Sequence, residues 1–123
     1  MGNIAVVGAG HWGRNYIRLF AQVLGSDHVV VVDSNASAGD KIRSQYKDMR
    51  VFESLALALR HGACTAAVIS TPAAVHFGQV RKCLESGLDV LAEKPLTLKV
   101  KEAESLVRLA REKRRILMVG HTF

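Results

Sequence analysis

Three features point to an α/β architecture, in which helices cover both faces of a mainly parallel, doubly wound sheet of six strands. Apolar segments alternate with helical patterns along the chain, the apolar segments are unbroken, and a glycine-rich turn joins the first of them to the first helix. Unbroken runs such as Ala66-Ala67-Val68-Ile69, Val90-Leu91-Ala92 and Ile116-Leu117-Met118-Val119 suit strands buried on both sides, whereas a half-exposed strand would alternate apolar and polar residues. A chain of 123 residues, nearly half of them apolar, can bury one real core, so a single domain over 1–123 is expected.

The first strand is expected near 3 to 8 and runs into Gly8-x-Gly10-x-x-Gly13. Behind that turn Trp12, Tyr16, Ile17, Phe20 and Leu24 recur at helical spacing, and Gly25 stands where a helix end favours glycine. Val29 to Val32 make the second strand, near 28 to 33, closed by Asp33. A short third strand near 50 to 52 and a fourth near 64 to 70 follow, with helices in the gaps. Phe77, Val80 and Leu84 mark one side of a helix from about Ala73 to Ser86, which stops before Gly87. The fifth strand lies near 88 to 92. The helix from Lys99 then carries Val100, Ala103, Leu106, Val107 and Ala110 on its apolar side, and a sixth strand lies near 116 to 119. The chain shows no internal repeat, low-complexity tract or linker.

Composition excludes several function classes. No apolar run approaches the roughly twenty residues that cross a bilayer, and the N-terminus enters a strand without a charged leader, so a soluble, cytoplasmic protein with no membrane partner is expected. Cys64 and Cys83 show no metal-site or redox-pair pattern and read as reduced thiols without chemistry. The formal charge is +6, much of it between Lys99 and Arg115, where Glu102, Glu104 and Glu112 are interspersed. Opposite charges three or four apart indicate a solvated helix face. Without interleaved aromatics or a reader motif, that face is not expected to bind nucleic acid. A basic surface would also draw in an anionic cofactor or substrate.

The glycine turn carries the chemistry. Gly8 lets the chain leave the strand in a tight turn, Gly10 leaves the backbone bare to a pyrophosphate, and Gly13 lets the helix pack on the strand, while the first helical amides point at the phosphate. With a strand before and a helix after, this is the layout of a Rossmann dinucleotide site. His11 and Trp12 lie inside it and count with the glycines as cofactor contacts. Asp33, with Ser34 beside it, stands twenty residues past Gly13, where a carboxylate accepts hydrogen bonds from the adenosine ribose hydroxyls. This favours NAD over NADP, although Lys41 and Arg43 on the next helix soften the discrimination. The alternatives are a structural glycine turn without ligand, and Asp33 as a cap beside Ser34 and Asn35.

In doubly wound sheets, ligands bind at the carboxyl ends of the strands near the switch between the first and fourth. Those ends carry Ser70-Thr71-Pro72, Glu93-Lys94-Pro95 and Gly120-His121-Thr122-Phe123. Together with Gly8-Ala9-Gly10-His11-Trp12-Gly13 and with His76 after Thr71-Pro72, these segments closely resemble the N-terminal domain of the Gfo/Idh/MocA family of nicotinamide-dependent oxidoreductases. The resemblance covers the whole chain, and Gly10 through Asn15 looks most like members that oxidise sugars or nucleotide sugars.

It implies that Thr71, Pro72 and His76 line the nicotinamide end, with a structural histidine as the alternative for His76, and Ser70 at the same strand end counts with them as a cofactor contact. It also implies that Lys94 lies beside the reacting carbon, hydrogen-bonds the substrate hydroxyl and helps move its proton, and that the Lys94-Pro95 bond is cis. A surface lysine in a loop is the other reading of Lys94. Glu93 would orient Lys94 or meet the nicotinamide ribose, and His121 would reach the nicotinamide edge unless the chain end is disordered. The family continues into a second, mostly β domain that binds substrate and carries an Asp-x-x-x-His pattern. That domain is absent here, so the expectation is a fragment of a longer enzyme, with a natural stand-alone domain as the alternative. Such a fragment would bind NAD with little turnover, and the surface exposed by the sixth strand and its helix would favour homo-oligomers. A nucleotide-sensing regulatory module is the rival reading, although it would have no use for Glu93-Lys94-Pro95. A scaffold without cofactor affinity is a third.

Overall fold

The computed structural model describes residues 2–121, with strands β1 (Asn3–Val7), β2 (Val29–Val32), β3 (Arg50–Phe52), β4 (Cys64–Ile69), β5 (Asp89–Glu93) and β6 (Leu117–Gly120). They form one sheet in the order β3-β2-β1-β4-β5-β6, with every pairing parallel. Between them run α1 (His11–Leu24), α2 (Ala36–Gln45), α3 (Leu55–His61), α4 (His76–Glu85) and α5 (Val100–Lys113). The helix expected from Ala73 begins as a 3-10 turn, Ala73–Val75, and becomes α-helical at His76. Thr122 and Phe123, named with the last strand end, lie outside the described residues.

The sheet divides the core in two. On one face Ile17 of α1 and Ile42 of α2 pack with Val6, Val29 and Val31. On the other, Ala58, Val80, Leu84 and Leu106 from α3, α4 and α5 pack with Ala5, Val30, Val32 and Ile69. The run Val29–Val32 has no polar residue because its successive side chains serve opposite cores, all of them buried. Each such side chain contributes roughly 1.5–3 kcal/mol on burial. Side-chain caps set helix starts: Asn35 Oδ1 accepts the Ala38 amide at 3.1 Å and Ser54 Oγ accepts that of Leu57 at 3.2 Å, each worth about 1 kcal/mol.

Two expectations are corrected at the outer end of the sheet. Val107 and Val100 of α5 are exposed, and the buried stripe is Leu106 and Ala110 with Leu109 beside them. Since α5 packs mainly along α4, only a narrow strip of it meets the core. The run at 116–119 is likewise not buried on both sides: β6 is an edge strand, and Ile116 and Met118 are 68% and 61% exposed. Both cysteines are free thiols, Cys83 buried and Cys64 partly so. Burial pushes the Cys83 thiol up to about 12 and also raises that of Cys64, against the pull of Arg50. No described helix is long and apolar enough to cross a membrane.

This topology positions the site. From β1 the chain winds through α1 and α2 toward β3, whereas from β4 it winds through α4 and α5 toward β6. The loops leaving β1 and β4 therefore diverge, and a cleft opens between them at the carboxyl edge.

Candidate dinucleotide site

The three glycines of the turn meet different constraints. Gly8 has φ +98°, a left-handed conformation, and a Cβ on it would meet Thr71 Cγ2 at 3.0 Å and the Ser70 backbone at 3.1 Å. A Cβ on Gly13 would lie 1.7 Å from the Gly8 carbonyl oxygen, so α1 can rest on the turn only without a side chain there. Gly10 differs from both: its φ is −78° and a Cβ would meet nothing within 4 Å. Neither conformation nor packing within the chain demands glycine at that position. Above it, α1 starts without a side-chain cap and without an acidic residue in its first turn. Its leading amides are thus left for an outside acceptor, with the positive end of the helix dipole behind them.

Asp33, at the end of β2, is tied to this turn. Its Oδ2 accepts the Ala9 amide and its Oδ1 the Asn35 amide, both at 2.8 Å. The helix cap proper is Asn35, so Asp33 braces the turn instead of capping α2. A carboxylate has about four lone-pair positions, and two remain for hydroxyl donors. Gly8, Gly10, Asp33, Ser34, Thr71 and Pro72 share a cleft of about 430 Å³, within the usual size of a ligand site. Glu53, Ser54 and Gln79 line it as well. Sequence reasoning missed all three, although Glu53 and Ser54 follow β3 at the same sheet edge and were open to the same argument.

A second hollow, about 300 Å³, adjoins Ala9 and is lined by Arg14, Ser37 and Lys41. Lys41 stands where the sequence suggested. Arg43 instead reaches Asp40 and the Val51 carbonyl, each at 3.3 Å, and Arg14 from α1 takes the place expected of it.

Two of the expected contacts hold the cleft's loops together, Ser70 as part of its lining and His76 from behind it. Ser70 Oγ lies 3.0 Å from the Val7 carbonyl oxygen and 2.9 Å from that of Gly8, so its hydroxyl holds the turn. His76 is 1% exposed, with Nε2 2.7 Å from the Thr71 carbonyl oxygen and Nδ1 2.9 Å from that of Pro95. Both ring nitrogens are occupied, so His76 ties the loop after β4 to the loop after β5 and presents neither to the cleft. This favours the structural alternative for it. His76→Leu removes a buried ring from both contacts and is expected to cost about 1–3 kcal/mol in urea denaturation, with His76→Asn, which keeps a polar partner, in between. An unchanged midpoint for His76→Leu would refute the tie.

On the α1 side of β5, half-exposed Trp12 packs edge-on to His11 and lines a groove of about 420 Å³ with Asn15, Tyr16, Leu19 and Glu93. Tyr16 Oη donates a hydrogen bond to Glu93 Oε1. Burial first, then the Glu93 carboxylate, push this phenol up to about 12. Lys94 follows at the exposed end of β5, its bond to Pro95 is cis, and His121 lies one residue past the Glu93–Gly120 register pair on the same edge.

Comparison with known proteins bears on this arrangement. Residues 2–121 match the family described as an oxidoreductase family with an NAD-binding Rossmann fold, Gfo/Idh/MocA. The UDP-N-acetylglucosamine 3-dehydrogenase of Acidithiobacillus ferrooxidans is 32% identical over 116 residues, which are 94% of this chain and 36% of that protein. The NADP(+) scyllo-inositol 2-dehydrogenase IolW of Bacillus subtilis is 29% identical over 85 residues, 69% of this chain and 24% of that one. Among solved structures, GenD2 from gentamicin A biosynthesis, in complex with NAD, is 30% identical with a TM-score of 0.86, covering 97% of this chain and 34% of that one. The chain thus spans between about a quarter and just over a third of these relatives. Both of these curated relatives are dehydrogenases, which gives the nucleotide-sensing alternative no support.

Proposed function

Because the chain belongs to the Gfo/Idh/MocA oxidoreductase family, we propose that it holds the cofactor of a dehydrogenase that moves a hydride between nicotinamide and a hydroxyl-bearing carbon of a sugar, nucleotide sugar or polyol. The observation that carries this reading is Gly10, a glycine in open space beside uncapped helical amides, whose bareness is useful only to something that approaches from outside. The leading amides of α1, at His11, Trp12 and Gly13, would take the pyrophosphate above the turn made by Gly8 and Gly10, and Asp33 with Ser34 the adenosine ribose. Ser70, Thr71 and Pro72 would shape the nicotinamide end, with His76 holding their loop from behind, and Glu93 and His121 would flank it.

Lys94 is the proposed catalytic residue. Its ammonium would hydrogen-bond the substrate hydroxyl and relay its proton, while the nicotinamide, when bound, supplies the hydride chemistry. NAD is proposed over NADP because Asp33 would repel a 2′-phosphate, although Arg14 and Lys41 stand near enough to moderate that preference.

Titration with NADH and with NADPH, followed by energy transfer from Trp12, the one tryptophan, tests both parts. Saturable quenching by NADH, with NADPH at least about tenfold weaker, is expected, and Asp33→Ala should narrow that gap. No saturation with either overturns the cofactor reading, whereas equal affinities overturn only the preference for NAD.

A further inference from the structure

Tyr16 sits in sequence among the apolar residues of α1, and its spacing alone assigns it to the core. In the fold, its hydroxyl leaves the core and reaches Glu93, the last residue of β5, directly before Lys94. β6 makes room for the pair. Gly120 is in register with Glu93, and a Cβ there would lie 3.2 Å from Glu93 Oε1 and 3.5 Å from Tyr16 Oη. The Tyr16 ring also stacks on Phe20, with centroids 6.4 Å apart and planes at 14°, so it has a fixed seat from which to hold the carboxylate. Three elements, α1, β5 and β6, converge on one hydrogen bond that links the helix behind the glycine turn to the loop carrying Lys94.

We propose that Tyr16 is a positioning residue: it fixes the Glu93 carboxylate by one oxygen, so that the other is offered, already oriented, to a nicotinamide-ribose hydroxyl. The proposal rests on the cofactor reading above. A glutamate side chain at a strand end samples several rotamers, and holding one in advance removes that ordering cost from binding. Tyr16 itself need not touch the cofactor. Its phenol, raised to about 12, stays protonated and able to donate through the neutral range. Phenylalanine in its place keeps the ring packing and deletes only the donor.

The test uses the 123-residue chain and NADH. Tyr16→Phe should weaken NADH binding about fivefold to tenfold. Glu93→Gln should weaken it at least as much, and the double variant should be no worse than Glu93→Gln alone, because Tyr16 acts through Glu93. Multiplying effects in the double variant, or an unchanged affinity in Tyr16→Phe, would overturn the proposal.

The contact itself is read without cofactor by tyrosine titration. Tyr16 should ionise above the usual tyrosine range in the parent chain, and its ionisation should move down in Glu93→Gln while burial, the larger cause, still holds it raised. A Tyr16 titration that does not move in Glu93→Gln would show that the bond is not made. Failure of the parent chain to bind NADH, with the titration as expected, would instead defeat the cofactor reading and with it the positioning role, while leaving the bond in place.

Discussion

Gly13→Ala is expected to lose about 3–4 kcal/mol of stability in urea denaturation, or to prevent folding altogether. Helix propensity alone predicts the opposite, since alanine inside a helix is favoured over glycine by about 1 kcal/mol. The clash decides the sign. A Cβ 1.7 Å from the Gly8 carbonyl oxygen meets backbone, which cannot turn away as a side chain would. To relieve it, α1 must lift from β1, and Ile17, 1% exposed against Val6 and Val31, lifts with it. The core on that face then opens, and Asp33 loses its hold on the Ala9 amide as the turn moves. A variant as stable as the parent would mean that α1 does not rest on the turn as described.

The elements that can be read from sequence are those whose side chains have one environment. Val29–Val32 reads as strand because both its faces are covered, and the glycine fingerprint reads as a turn because its demands fall within six residues. Val100 and Val107 mislead for the opposite reason. They obey the helical period, but how far around a helix the core reaches depends on where its neighbours sit, and α5 lies at the edge beside α4. The site divides the same way. Asp33 was legible because it ends a strand at a fixed distance from the turn. Tyr16 was not, since its partner Glu93 lies 77 residues away in sequence and periodicity cannot tell a phenol in the core from one that leaves it. His76 was found and its direction was not: its ring spans Thr71 and Pro95, and the second of these is set by the sheet order. Arg43 and Arg14 traded places because local ion pairing with Asp40 turned one away while α1 aimed the other at the hollow.

Gly10→Val separates fold from function. The backbone at φ −78° and ψ −157° is extended and not left-handed, and open space surrounds the position. The stability cost is therefore held to about 1 kcal/mol, the scale of a poorer residue at a helix N-cap. Cofactor affinity should respond differently. The amides of α1 can bond a pyrophosphate only at about 2.9 Å, and a valine side chain occupies the path by which the phosphate arrives. Binding of NADH should weaken by at least about a hundredfold, close to 2.7 kcal/mol. The two effects can be read in one experiment, because a ligand that binds only the folded chain stabilises it by about 2.7 kcal/mol at a hundred times its dissociation constant. The parent chain should then melt higher with NADH, and Gly10→Val should melt near the parent's ligand-free temperature with or without it. A variant that is still stabilised by NADH would show that the phosphate does not approach over Gly10, and the open space there would need another explanation. A variant that is badly destabilised without ligand would place Gly10 with Gly13, as a glycine that the fold itself requires.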